Sequence, residues 1–233
     1  PMPAPTHTQP APSRRAVTAG LAWSVPAIAA TAAAPAYAAS CANPTTYTGD
    51  FTQANVYGAP PSSYTWTSAS GNTITLDVST VAYGGKSLMT NNLTSAGGIN
   101  QGYSGRGDLE SDGLQLQQQG NGGQVLTISL SEPVTDLQFT IADLDWRSRG
   151  YRDAVVLSPT PTTVTNNSAV QGAGVAGNPL TPKTAAEVNS DTLDNRSTVT
   201  YSGPITSFSL DFSSTDGTVA QQIFLTNLRF AAC

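Results

Sequence analysis

Strict alternation of apolar and polar residues constrains this chain more than any other feature. Leu126, Ile128 and Leu130 alternate with Thr127 and Ser129, and Leu137, Phe139 and Ile141 alternate with Gln138 and Thr140. Successive side chains on a strand point to opposite faces, so each run predicts a half-buried strand, with Ser131-Glu132-Pro133 as the turn between them. Phe208, Leu210 and Phe212 repeat the pattern, and 223–230 predicts a last strand close to the C-terminal residue. Weaker strands are expected at 64–67, 73–79, 87–91, 114–118, 154–158 and 198–201. No segment holds a 3.6-residue period over three turns, and the best helical candidate, 184–188, is a single short turn. The Thr/Pro-rich stretch 159–165 and the Gly-rich stretch 171–177 read as long loops. The expected fold is all-β: a single antiparallel β-sandwich of jelly-roll type, with about ten strands in two packed sheets.

An internal echo accompanies this pattern. Ser131-Glu-Pro-Val-Thr, followed by apolar residues at every second place to Ile141, lines up with Ser202-Gly-Pro-Ile-Thr, followed likewise to Phe212. Two similar turns in one sandwich explain an echo of eleven residues better than a tandem repeat, which would extend farther.

The N-terminal region has a different composition. Arg14 and Arg15 precede a nearly uncharged apolar run, 16–34, and Ala36-Tyr37-Ala38 has the small-x-small form of a cleavage site, so 1–38 reads as an export leader. A transmembrane anchor needs about 20 strongly apolar residues, whereas this run is Ala-rich and interrupted by Pro26, with Pro35 just after it. Ser13-Arg14-Arg15-Ala16-Val17 also has features of a twin-arginine leader, alongside the general secretory route. The expected organisation is a leader at 1–38 and a β-sandwich domain at 39–233.

Composition agrees with export. Charged residues make up 11% of the 233, less than half the usual ~25%. Cleavage would remove Arg14, Arg15 and the only histidine, taking the net charge from -5 to -7. Nucleic acids and anionic membranes require clustered cations, so neither is an expected partner, and no integral membrane segment is expected after residue 38.

Cys41 and Cys233 are the two cysteines. In an oxidising compartment two lone cysteines pair, which would join the ends of the domain. A lipidated Cys41 is the competing reading, but no Leu or Val stands upstream in 38–40 where a lipobox expects one.

Without histidine, imidazole-based catalysis and His-rich zinc sites are excluded after cleavage. An enzyme would have to rely on a carboxylate pair, and none is evident in the sequence, so the expectation is a non-enzyme. Acidic side chains fit hard cations better. Asp108, Glu110 and Asp112 precede Gly113 at alternate positions, suited to calcium or to a solvated loop. Asp143 and Asp145 share a face at a strand end, which sets like charges together unless a cation separates them. Arg147 or Arg152 could pair with them, or calcium could be held by Asp143, Asp145 and Asp153. Arg106-Gly107-Asp108 matches an integrin-binding tripeptide of low specificity. Trp66, Trp146 and Tyr151 are candidate ligand-binding residues, since flat rings stack on sugars; packing of those rings into the sandwich is the alternative.

The segments 137–145, 151–155 and 223–230 together carry Phe-Thr-Ile-x-Asp-x-Asp, Asp-x-Val and a closing apolar cadence. In these the chain resembles β-sandwich modules of bacterial secreted and cell-surface proteins. The resemblance implies a structural, adhesive or ligand-binding role, with Asn227 standing where an acidic residue is frequent. The expected protein is therefore exported and non-enzymatic, acting extracellularly or at the cell surface, with calcium as a structural cofactor and a glycan or protein as partner. A carbohydrate-binding module is the alternative, and a carboxylate-only glycosidase or lyase comes behind it.

Overall fold

The computed structural model describes residues 43–49, 51, 62–68, 71–94, 113–188, 192–214 and 219–233. Among the described residues the chain forms fourteen strands: β1 (Thr45–Gly49), β2 (Ser63–Thr67), β3 (Thr73–Tyr83), β4 (Ser87–Leu88), β5 (Leu114–Gln119), β6 (Gly122–Ala142), β7 (Trp146–Arg147), β8 (Tyr151–Ser158), β9 (Thr163–Asn166), β10 (Val170–Gln171), β11 (Thr181–Pro182), β12 (Ser197–Tyr201), β13 (Ile205–Ser214) and β14 (Gln221–Ala232). The expectation of about ten is corrected upward. The additions are β1 and the short β7, β9, β10 and β11, too brief or too Pro-rich to alternate visibly. The helical turn expected at 184–188 does not form, and the only helical segment among the described residues is the 3-10 turn Leu193–Asn195. No helix among them is long and apolar enough to cross a membrane.

Strand β6 organises the molecule. It is 21 residues long and belongs to both layers. Its first part lies between β3 and β13, and its second part between β12 and β14. One layer runs β2, β3, β6, β13, β8, with β7 on the far edge of β8. The other runs β9, β12, β6, β14, with β5 and β1 sharing the far edge of β14 and β4 on β5. All these pairings are antiparallel.

The segment read as a turn, Ser131-Glu132-Pro133, is instead the corner at which β6 passes from one layer to the other. The buried positions are even-numbered from Leu126 to Val134 and odd-numbered from Leu137 to Ile141, so the alternation slips by one residue. Asp136, at φ 51°, absorbs the slip, as expected of a bulge that re-aims a strand. The second copy of the echo does turn, at 202–204 between β12 and β13. Both copies meet at this corner, where Val134 and Ile205, the residues that follow the two prolines, are register partners. Similar turn chemistry has thus been used twice at one bend.

The two layers face each other through aromatic side chains. Phe139 of β6 stacks on Phe208 of β13, with centroids 4.9 Å apart and planes at 16°. At another place Trp66 of β2 meets Phe230 of β14 at 5.6 Å, and Phe51 packs edge-on against Tyr64 and Trp66. The arrangement is an antiparallel sandwich with one large apolar core and a separate small cluster of Ala142 and Phe224. Thr45 pairs with Ala232, which brings the first described strand beside the last. Cys41 itself lies outside the described residues.

Candidate functional site

The period of β8 places Tyr151, Asp153, Val155 and Leu157 on one buried face. An aspartate therefore occupies a core-facing position. Immediately after β6, Asp143 adopts φ 69°, and the short link 143–145 is buried too. Two hydrogen bonds fix this link: the Leu144 amide donates to the Asn195 carbonyl at 3.1 Å, and Asn195 Nδ2 donates to the Leu144 carbonyl at 2.6 Å.

Asp143, Asp145 and Asp153 are 4%, 2% and 0% exposed. The structure brings together these three of the six acidic residues considered as metal ligands. Asp108, Glu110 and Asp112, and the Arg106-Gly107-Asp108 tripeptide, lie outside the described residues. The Asp145 amide donates to Asp153 Oδ2 at 3.1 Å, and the Asp153 amide donates to the Asp145 carbonyl at 3.1 Å. The Val188 amide donates to Asp145 Oδ2 at 2.8 Å, Gln222 Nε2 donates to Asp143 Oδ2 at 3.3 Å, and the Tyr151 hydroxyl donates to the Asp145 carboxylate. Asp153 Oδ1 is buried and accepts no hydrogen bond. Among the described residues no three His, Cys, Asp or Glu side chains already converge as metal ligands, so cation uptake would require these carboxylates to turn.

Burial raises the Asp145 carboxyl to about 6, with the Glu187 charge adding to the effect and hydrogen bonds from the Val188 amide, the Tyr151 hydroxyl and the Asp153 side chain opposing it. Asp153 is raised well above the usual carboxylate range, first by burial and then by the charge of Asp145. Tyr151 is also held strongly protonated, by burial and by the charges of Asp145 and Asp153. The causes are desolvation and like charge, the two conditions that disfavour an ionised acid.

The expected pairing of these acids with Arg147 or Arg152 is corrected. Arg147 makes a half-exposed ion pair with Glu187 at 3.6 Å. The Arg152 guanidinium sits 4.8 Å from the centre of the Trp146 ring and donates to the Pro182 carbonyl at 3.3 Å. Arg152 is next to Asp153 on β8, so their side chains leave opposite faces of the strand. The cation that does act on Asp153 is Lys86, 7% exposed. Sequence reasoning missed it, and Gly84-Gly85-Lys86 offers only the weak signal of a lone lysine after a turn.

The aromatic platform is corrected as well. Trp66 and Tyr151 are buried, Trp66 in the core and Tyr151 over Asp145. Only Trp146 is partly exposed, and its ring is covered on one face by Arg152. These three rings do not form an exposed row.

No family model matches the chain, and no curated protein matches it. Among solved structures, it is similar to the K3 cleaved adhesin domain of Lys-gingipain from Porphyromonas gingivalis W83, with 16% identity and a TM-score of 0.36 over 80% of this chain and 98% of that one. It is also similar to a structure described as showing promiscuous specificity of carbohydrate-binding modules of the β-sandwich superfamily, with 12% identity and a TM-score of 0.28 over 80% of this chain and 74% of that one. At these scores neither likeness assigns an activity or a ligand to this chain.

Proposed function

We propose that the chain is an exported, non-enzymatic β-sandwich protein that acts outside the cell or at its surface as a structural or adhesive module. The observation that carries this reading is the burial of its acidic cluster: Asp143, Asp145 and Asp153 lie in the interior and are engaged by backbone amides, Gln222 and Tyr151. A glycosidase would need two carboxyl groups flanking a substrate in a cleft, and these acids hold one another and the local backbone instead. The carbohydrate-binding alternative loses the support it had in Trp66 and Tyr151.

Two structural reinforcements belong to this proposal. Calcium, if taken up, would be held by Asp143, Asp145 and Asp153, whose combined charge a divalent cation would offset. A Cys41–Cys233 disulfide would close the domain. It is supported by the pairing of Thr45 with Ala232 and by the lack of a free cysteine among the described residues.

The test is a binding survey of the exported protein on a glycan array and on intact cell surfaces, run beside an assay for polysaccharide turnover. Binding without turnover is expected. Turnover that is lost on Asp145→Asn or Asp153→Asn would overturn the non-enzymatic reading.

A further inference from the structure

An amine and a carboxyl group, one from each layer, are buried without the partners such groups need. Lys86, just before β4, is 7% exposed, and its Nζ has no hydrogen-bond partner. Asp153 of β8 is 0% exposed, and its Oδ1 accepts no hydrogen bond. Burial of each group costs free energy that no contact to water or protein offsets.

The fold carries both groups to one end of the interior. The Lys86 Cα lies 3.6 Å from where a Cβ on Gly120 would stand, in the turn between β5 and β6. At the start of β6, Gly122 pairs with Ser214, and Ser214 pairs with Asp153. The layers touch at this end, since Gln118 Nε2 of β5 donates to the Phe212 carbonyl of β13 at 3.1 Å. Lys86 and Asp153 act on each other electrostatically, but they form no ion pair among the described residues. Neither a carboxylate nor a hydrogen bond therefore anchors Nζ, and a flexible four-carbon stem can turn it onto Asp153.

Asp153 is arranged as an acceptor. The Asp145 amide donates to Asp153 Oδ2 at 3.1 Å, which polarises that C–O bond and marks Oδ2 as the oxygen that stays. Oδ1, without such a donor, is the oxygen that leaves. The Asp145 carboxyl shares a hydrogen bond with the Asp153 side chain, so it can exchange a proton with the leaving oxygen. Burial disfavours the charged form of both partners, which favours the reacting species, a neutral amine and a carboxylic acid.

We propose that Lys86 and Asp153 condense into a side-chain amide that cross-links the two layers, with Asp145 carrying the proton. The Nζ lone pair attacks Asp153 Cγ, a C–N bond forms and the C–Oδ1 bond breaks. One N–H proton passes through Asp145 to the departing hydroxyl, and water leaves; no oxidant or cofactor is consumed. Enclosure in the interior holds amine and acid at high effective concentration and excludes the water that would reverse the step. Two unpartnered groups become one neutral amide. The inference is independent of the calcium reading: Asp143 and Asp145 remain carboxylates, and an amide oxygen, which calcium also accepts, takes the place of the Asp153 carboxylate.

The full chain is reduced, denatured and weighed by mass spectrometry, then digested and mapped. The expected mass is one water below that of the sequence, with the peptide containing Lys86 joined to the peptide containing Asp153. Lys86→Met and Asp153→Ala should each return the full mass, and Asp145→Ala should slow bond formation by about a hundredfold or more in a refolding time course. A full mass after prolonged incubation of the folded natural chain would overturn the inference. A deficit that survives in Lys86→Met, or that maps to a cyclic imide, would overturn it too. Bond formation at the natural rate in Asp145→Ala would overturn the proton-carrying role. The deciding measurement is made on the natural chain, so it stands even where a variant does not fold.

Discussion

Asp145 and Asp153 are joined twice through the backbone: the Asp145 amide donates to Asp153 Oδ2, and the Asp153 amide donates to the Asp145 carbonyl, each at 3.1 Å. The two carboxyl groups are thereby held close in a buried place, where desolvation makes both harder to ionise and the charge of Asp145 adds to the effect on Asp153.

A dependence on pH follows. The Asp145 carboxyl lies at about 6 in the folded chain against an ordinary 3.8, so the folded state holds its proton more tightly than the unfolded state. Stability must then fall as pH rises through that window and recover as pH drops. Asp153 is shifted in the same direction. In chelator, the melting temperature is expected to be higher at pH 5 than at pH 7, as scanning calorimetry would show. A melting temperature that falls steadily from pH 7 to pH 5 would mean that these carboxylates are stabilised in their charged form.

The stacked contact between Phe139 and Phe208 spans the two layers at 4.9 Å. Phe208→Ala is expected to cost about 3–5 kcal/mol, the range for deleting a buried ring, as measured by denaturant titration. A loss below 1 kcal/mol would show that the layers do not depend on this contact.

Two glycines should behave oppositely. Gly122 has φ 106°, and a Cβ there would meet the Tyr83 carbonyl oxygen at 2.3 Å. Gly122→Ala should therefore destabilise by more than about 1 kcal/mol. Gly203 lies in the turn between β12 and β13, where a Cβ would meet nothing within 4 Å. Gly203→Ala should be neutral or stabilise by up to about 1 kcal/mol through the unfolded chain. Paired denaturation curves test the contrast, and similar losses at both positions would contradict it.

Within residues 39–233, Trp66 and Trp146 are the tryptophans. Trp66 is buried and Trp146 partly exposed, so acrylamide should quench one fluorescence component and spare the other. In Trp146→Phe the quenchable component should disappear. If it persisted, Trp66 would be open to solvent and the stacking-platform reading would regain its ground.

The core strands were legible in the sequence because period-two alternation reports burial on one face directly, as at Leu126 to Leu130 and Leu137 to Ile141. The corner in β6 was not, since Ser-x-Pro chemistry suits both a turn and a bend in a continuous strand. Pairing decides between them, and here Val134 pairs with Ile205. β9 was hidden because its alternation starts two residues after Pro161 and lasts four residues. At the candidate site, the grouping of Asp143, Asp145 and Asp153 was visible from spacing, but its partners were not. Arg152 is nearest Asp153 in sequence and points away from it, whereas Lys86, 67 positions earlier in the numbering, reaches the same end of the interior through long-range pairing.

The melting temperature of residues 39–233 at pH 7, in chelator and then in millimolar calcium, tests most directly the proposal that the buried carboxylates form a cation-responsive structural site. The account predicts a rise with calcium that chelator reverses, through preferential binding to the folded state. An unchanged melting temperature would contradict it.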